Sequence, residues 1–233
     1  MRHHPGVFPG GYGNYAHQLS YCARWRVKIA AGGLYILMSD LYPVQEVAPN
    51  SFIYAVDNAI SLADCAAMVE QFEASADQHY IGRIGESQQV AEEIKKSTDL
   101  RISGREDWAQ YDALFRDSMH RAIMSLSAIH PFFRSNRFKD MGYNLQRTRE
   151  GEYYHWHLDT GPGELSQRVL VALWYLNDVE GPGGATEFYH QNLSVQPRAG
   201  RLILFPPFWT HLHQNSTLEK GVKYISTTWL CYA

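Results

Sequence analysis

The period of the apolar positions changes near residue 141, and the change divides the chain into a helical part and a strand part. From Ser61 the apolar residues Leu62, Cys65, Ala66, Val69 and Phe72 recur at helical spacing and define one face. Ser61, with Asp64 three residues on, is a capping-box-like start for that helix. A second helix is predicted from about Glu106 to Leu126. Its stripe is Trp108, Tyr111, Leu114, Phe115, Met119, Ile123 and Leu126, and Pro131 marks its end. Between the helices, residues 82–99 are polar and glycine-punctuated and read as a loop with a short helical turn. Upstream, FIYAV at 52–56 is a short strand candidate.

After Met141 the pattern is that of strands. Candidates are 143–147, 153–158, 169–176, 186–189, 193–196, 201–205 and 222–231. Gly161-Pro162-Gly163, Gly181-Pro182-Gly183-Gly184 and Pro206-Pro207 punctuate them. Many short strands at this spacing predict a β-sandwich or barrel supported by the preceding helices.

Composition narrows the classes. Hydrophobic residues make up 45% and aromatics 13% of the 233 residues, which is globular. The formal net charge is −3, so no basic footprint points to nucleic acid. Residues 1–37 contain no Asp or Glu. Residues 38–233 therefore hold 17 basic against 24 acidic residues, a balance of −7. Cys22, Cys65 and Cys231 are far apart and form no CxxC pair, which fits a reducing cytoplasm and gives no disulfide framework. The apolar run 29–38 is about half the roughly 20 residues a membrane helix needs, so no membrane partner is expected.

HWHLD, at 155–159, carries the chemistry. On a strand, residues i and i+2 share a face, so His157 and Asp159 project together while Trp156 and Leu158 point to the other side. An imidazole and a carboxylate need a third ligand from another strand to close a metal site. His211 and His213, in FPPFWTHLHQN, are the candidates. Two histidines and one carboxylate leave coordination positions open, an arrangement suited to Fe(II) that activates oxygen. The HExxH helix of many zinc hydrolases is absent.

From Leu145 to Trp229 several pieces occur in one order: LQRTREGEYYHWHLD, RVLVALWYLNDVEGPGGATEF, VQPRAGRLILFP and HQNSTLEKGVKYISTTWL. Together they resemble the catalytic core of the 2-oxoglutarate/Fe(II)-dependent dioxygenases, in the prolyl 4-hydroxylase-like branch. The resemblance implies a mostly β fold, a double-stranded β-helix or jelly-roll barrel, with N-terminal helices packed outside. The acid-free composition of 1–37 predicts a poorly ordered extension there, followed by a helical support region over 38–140 and, from the change to strands, a catalytic core over 141–233.

The resemblance also implies Fe(II), 2-oxoglutarate, O2 and L-ascorbate as cofactors. His157, Asp159 and His213 would be the metal ligands. A basic residue follows the distal histidine by about ten positions in the family, and Lys223 stands ten after His213 but twelve after His211. Lys223 would meet the far carboxylate of 2-oxoglutarate, and Tyr175 would add a hydroxyl. Many relatives have a tyrosine nine residues before the first ligand; Thr148 stands there, keeping a hydroxyl but losing the ring. Trp156, Trp174, Trp209 and Trp229 are expected to fill the barrel or its rim. Arg147, Arg168 and His155 are read as solvated or ion-paired structural residues. The implied reaction is hydroxylation of an aliphatic C–H, in a peptidyl proline or similar centre of a peptide or small molecule. Oxidative demethylation of nucleic acid and a non-catalytic ligand-binding barrel remain as alternatives.

Overall fold

A computed structural model describes residues 41–233. The extension over 1–37 and the apolar run at 29–38 lie outside the described residues.

Two helices form where the periodicity places them. Helix α1 spans Leu62–Ala74; Ser61 caps it, its hydroxyl accepting from the Asp64 amide at 3.0 Å. A turn of 3-10 helix at Glu106–Trp108 leads into helix α2, Ala109–Ile129. Pro131 opens the short helix α3, Phe132–Ser135. Among the described residues, no helix is long and apolar enough to cross a membrane.

The strands are β1 (Gln45–Glu46), β2 (Tyr54–Val56), β3 (Tyr80–Ile81), β4 (Lys95–Lys96), β5 (Thr98–Arg101), β6 (Phe138–Asp140) and β7 (Asn144–Arg149). They continue as β8 (Tyr153–His157), β9 (Arg168–Tyr175), β10 (Thr186–Phe188), β11 (Leu193–Val195), β12 (Leu202–Phe205), β13 (His213–Asn215) and β14 (Val222–Tyr232). The major sheet runs β1-β2-β12-β9-β14-β7-β5-β3, with β6 also on β14. The minor sheet runs β11-β10-β13-β8-β4. These two facing sheets are the jelly-roll of a double-stranded β-helix. The stretch 82–99 departs from its reading as loop: it holds β4 and the start of β5. Both are stabilised by cross-strand partners distant in sequence, which local periodicity does not record.

The major sheet is buried on both faces, and alternation decides which residue goes where. Leu170, Ala172 and Trp174 of β9 join Leu202 and Leu204 of β12 against the helices. Cys65, Met68 and Phe72 of α1 and Tyr111, Phe115, Met119 and Leu126 of α2 meet them there. Val171, Leu173 and Tyr175 turn the other way, into the barrel, with Ile203, Phe205, Phe188 and Ile225. Trp174 therefore supports the helices instead of filling the barrel. Its ring lies 5.1 Å from Phe115, and its indole N–H donates to Ser118 Oγ at 3.0 Å.

Phe115→Ala, which empties this fully buried position, is expected to destabilise the fold by about 3–5 kcal/mol. Trp209→Ala, at a side chain 71% exposed, is expected to change stability by no more than about 0.5 kcal/mol. Urea denaturation of the two variants checks the contrast.

Candidate functional site

The site forms where β8 ends and β13 begins. The antiparallel register sets His213 directly opposite His157, with ring centroids 4.2 Å apart. Asp159 follows β8 by two residues, held by its amide, which donates to the Pro207 carbonyl at 3.2 Å. Its two carboxylate oxygens face the two imidazoles: His157 Nε2 is 3.8 Å from Oδ1 and His213 Nε2 is 3.6 Å from Oδ2. One donor atom from each of the three residues lies within 4.8 Å of the other two.

Local hydrogen bonds fix both imidazoles in the same tautomer. His157 Nδ1 stands 2.7 Å from the His155 carbonyl and His213 Nδ1 stands 2.9 Å from the His211 carbonyl. A carbonyl can only accept, so Nδ1 carries the hydrogen and Nε2 presents its lone pair to the centre. Burial, reinforced by the neighbouring His213, pushes the His157 pKa down to about 3, so the ring is neutral at physiological pH. Burial pushes the Asp159 carboxyl up, but His213, His157 and Arg168 outweigh it and its pKa falls below the ordinary value. Two imidazoles that present Nε2 and an ionised carboxylate form a donor set that fits a ferrous ion with open positions.

His211 points elsewhere. It is buried, with Nε2 2.9 Å from the Ser51 carbonyl and Nδ1 2.9 Å from the Thr210 hydroxyl. Both of its ring nitrogens are engaged outside the triad.

Lys223 lies on β14 inside the barrel, 1% exposed. Its ammonium donates to the Gly184 carbonyl at 2.7 Å and to Asn215 Oδ1 at 2.5 Å, and no acidic group pairs with it among the described residues. Gly184 supplies that carbonyl from a left-handed backbone, φ +72°. Burial depresses the Lys223 pKa to about 7. Thr148 sits beside Lys223 on β7 and lines the same cavity as the triad. Tyr175 puts its ring 5.4 Å from the Lys223 ammonium, while its hydroxyl donates to Thr186 Oγ1 at 2.7 Å. Thr186 in turn lines the cavity.

Strand parity alone misplaces part of β8. Three residues of β13 span four of β8, from His213↔His157 to Asn215↔Tyr154. This bulge turns Tyr154 inward beside His157, their rings stacked at 3.5 Å and 8°. His155, which shares the parity of His157, is exposed instead and stacks on Tyr153. Arg147 is tied to the helix side, donating to both Glu73 carboxylate oxygens at 2.6 and 2.8 Å. Arg168 does face the cavity. Its guanidinium covers the Trp229 ring at 3.6 Å and donates to the Asp159 carbonyl at 2.8 Å. Tyr154 is among the cavity residues that the sequence pattern does not mark, and Arg168, read there as structural, lines the cavity. A bulge leaves no mark in the residue pattern, and an arginine at a strand start looks like any solvated one.

Comparison with known proteins agrees with this geometry. Residues 143–231 match the family model of the 2OG-Fe(II) oxygenase superfamily. No curated protein matches the chain. Among solved structures, a prolyl hydroxylase from Trichoplax adhaerens, in complex with a hypoxia inducible factor oxygen degradation domain peptide fragment, superposes with a TM-score of 0.66. It has 16% identity over 78% of this chain and 84% of that one. A Pseudomonas putida prolyl-4-hydroxylase gives a TM-score of 0.58 at 20% identity, over 78% of this chain and 93% of that one. A viral collagen prolyl hydroxylase from Paramecium Bursaria Chlorella virus-1 gives 0.57 at 15%, over 81% of this chain and 100% of that one. At these identities the structures speak for the fold, and the family match speaks for the chemistry. Residues 143–231 thus match the 2OG-Fe(II) oxygenase superfamily, and the fold that carries them is the one seen in prolyl hydroxylases.

Proposed function

We propose that His157, Asp159 and His213 hold Fe(II), that Lys223 with Thr148 and Tyr175 receives 2-oxoglutarate, and that the chain hydroxylates a peptidyl proline or a similar aliphatic centre. The observation that carries the reading is the pairing of an open-faced His-Asp-His donor set with a buried cation that has no acid partner among the described residues. A buried ammonium without a counter-ion is costly, and an arriving carboxylate removes the cost. When bound, iron and 2-oxoglutarate supply oxidising power: O2 is consumed, succinate and CO2 leave, and a hydroxyl is placed on an aliphatic C–H. L-ascorbate is our assigned reductant for oxidised iron, and the cytoplasm our assigned compartment.

The residues of the chain do the rest. The carbonyls of His155 and His211 keep both Nε2 lone pairs aimed at the centre. Arg168 fixes the Asp159 backbone and presents a cation at the cavity. Val171, Leu173, Phe205 and Ile225 exclude water from one wall. Outside, Trp156, Leu158, Phe208 and Trp209 are exposed apolar side chains, and Leu158 also lines the cavity. The similar folds include a prolyl hydroxylase in complex with a peptide fragment and a collagen prolyl hydroxylase, which favours a peptide over a free amino acid. Nucleic-acid demethylation is disfavoured by the −7 balance of residues 38–233. The His-Asp-His donor set standing in one cavity with Lys223 argues against a non-catalytic barrel.

Three experiments test the reading. Asp159→Ala is expected to abolish both iron retention and succinate formation, whereas His211→Ala retains iron; a dead His211→Ala with an active His213→Ala would reverse the ligand choice. At pH 8, above its depressed pKa of about 7, Lys223 is mostly neutral in the free protein. A carboxylate bound beside it raises that pKa, so 2-oxoglutarate binding takes up protons. Calorimetry in buffers of different ionisation enthalpy should detect the uptake, and Lys223→Ala should lose it along with most 2-oxoglutarate affinity while iron still binds. Succinate release screened against proline-rich peptides, free amino acids and alkylated oligonucleotides is expected to rise with the peptides; stimulation by oligonucleotides alone would refute the peptide assignment.

A further inference from the structure

A second buried ionic group stands close to the triad. Lys95 and Asp99 pair at 2.7 Å with side chains 5% and 3% exposed. Asp99 also accepts from Ser97 Oγ at 2.7 Å and from Asn144 Nδ2 at 3.2 Å, so the pair is well satisfied. Lys95 belongs to β4 of the minor sheet and Asp99 to β5 of the major sheet. The pair is therefore a strut between the two walls of the barrel.

Its cost makes its position informative. Desolvating two charges offsets most of their attraction, and apolar side chains of similar volume usually stabilise a core as well or better. The strut instead meets a residue that lies face to face with a triad imidazole. Lys95 is the cross-strand partner of Tyr154, and its ammonium lies 5.3 Å from the centre of the Tyr154 ring. Tyr154 lies flat on His157, 3.5 Å between centroids. The Nδ1 of His157 is held by the carbonyl of His155, two residues back on its own strand. That bond sets the tautomer. The plane of the ring is set by what packs on it.

We propose that the Lys95–Asp99 pair is a positioning device for the metal, clamping Tyr154 against His157 so that the imidazole stays directed at Asp159 and His213. Lys95, Asp99 and Tyr154 are positioning residues that act through His157. The clamp presupposes that the triad holds a divalent metal, and its test separates the two ideas.

The probe is Co(II), titrated into metal-free full-length protein with no 2-oxoglutarate, read by the dissociation constant and the visible d–d spectrum. The double variant Lys95→Met/Asp99→Asn removes both charges without stranding one, and the amide oxygen it introduces can still accept from Ser97. It is expected to keep its far-UV circular dichroism, to bind Co(II) about tenfold more weakly, as loss of an outer-shell partner does, and to show altered d–d bands. Tyr154→Phe keeps the stacked ring and is expected to bind as wild type does; Tyr154→Leu is expected to lose about tenfold. Combining Tyr154→Leu with the double variant should add no further loss, because both act through one contact. Wild-type affinity and spectrum in the folded double variant would overturn the clamp, as would losses that multiply when combined. Should the double variant fail to fold, Tyr154→Leu decides: unchanged Co(II) affinity there overturns the clamp. A wild-type protein that takes up no Co(II) sinks the metal assignment itself and the clamp with it, while normal wild-type uptake with unaffected variants sinks the clamp alone.

Discussion

The pairing of β13 with β8 is the contact on which the site depends. It sets His213 opposite His157 and, through the bulge that follows, turns Tyr154 inward beside them. Because the side-chain period of a strand is two, a slip of one residue would move an imidazole out of the barrel. The register is pinned from both flanks. On one side Phe188 of β10 packs into the apolar barrel interior and pairs with His213. On the other, Lys95 of β4 pairs with Tyr154.

The barrel interior has two characters. The wall made by β9 and β12 is apolar, with Val171, Leu173, Ile203 and Phe205. The wall made by β7, β5 and β4 is polar, with Thr148, Gln146, Asp99, Ser97 and Lys95. The polar groups there are bonded to one another: Gln146 to Thr227, Asn144 to Asp99, and Tyr80 to Asn144. A buried polar wall is tolerable because its partners are satisfied. Lys223 differs in having neutral acceptors only, Gly184 and Asn215. That contrast distinguishes a cation ready to meet an anion from one already used by the fold.

The helices give the sheet its second buried face. Glu73 of α1 receives Arg147 of β7 and the hydroxyl of Tyr224 of β14, which ties the helix across the two strands. Lys223, next to Tyr224 along β14, faces the barrel. The support layer and the site are thus opposite sides of the same strands, and the rigidity of one is passed to the other.

The strand run after Met141, both helices and the cap at Ser61 were legible in the sequence, because they depend on periodicity and on neighbours a few residues apart. So was the grouping of His157 with Asp159, because the HxD spacing is local; the preference for His213 over His211 rests on the family resemblance, which sets a basic residue about ten positions after the distal histidine. Strands β4 and β5 were not legible, since Lys95–Lys96 and Thr98–Arg101 are polar stretches made into strands by partners more than forty residues away. The inward turn of Tyr154 and the outward turn of His155 were equally hidden. Residue order tells which side chains share a face only while the ladder stays regular, and whether it does is settled by the strand alongside. The residues thus determined the periodic elements and the candidate ligands; the tertiary structure decided which of them face one another, because pairing between distant strands is energetically favourable or not only once both are in place.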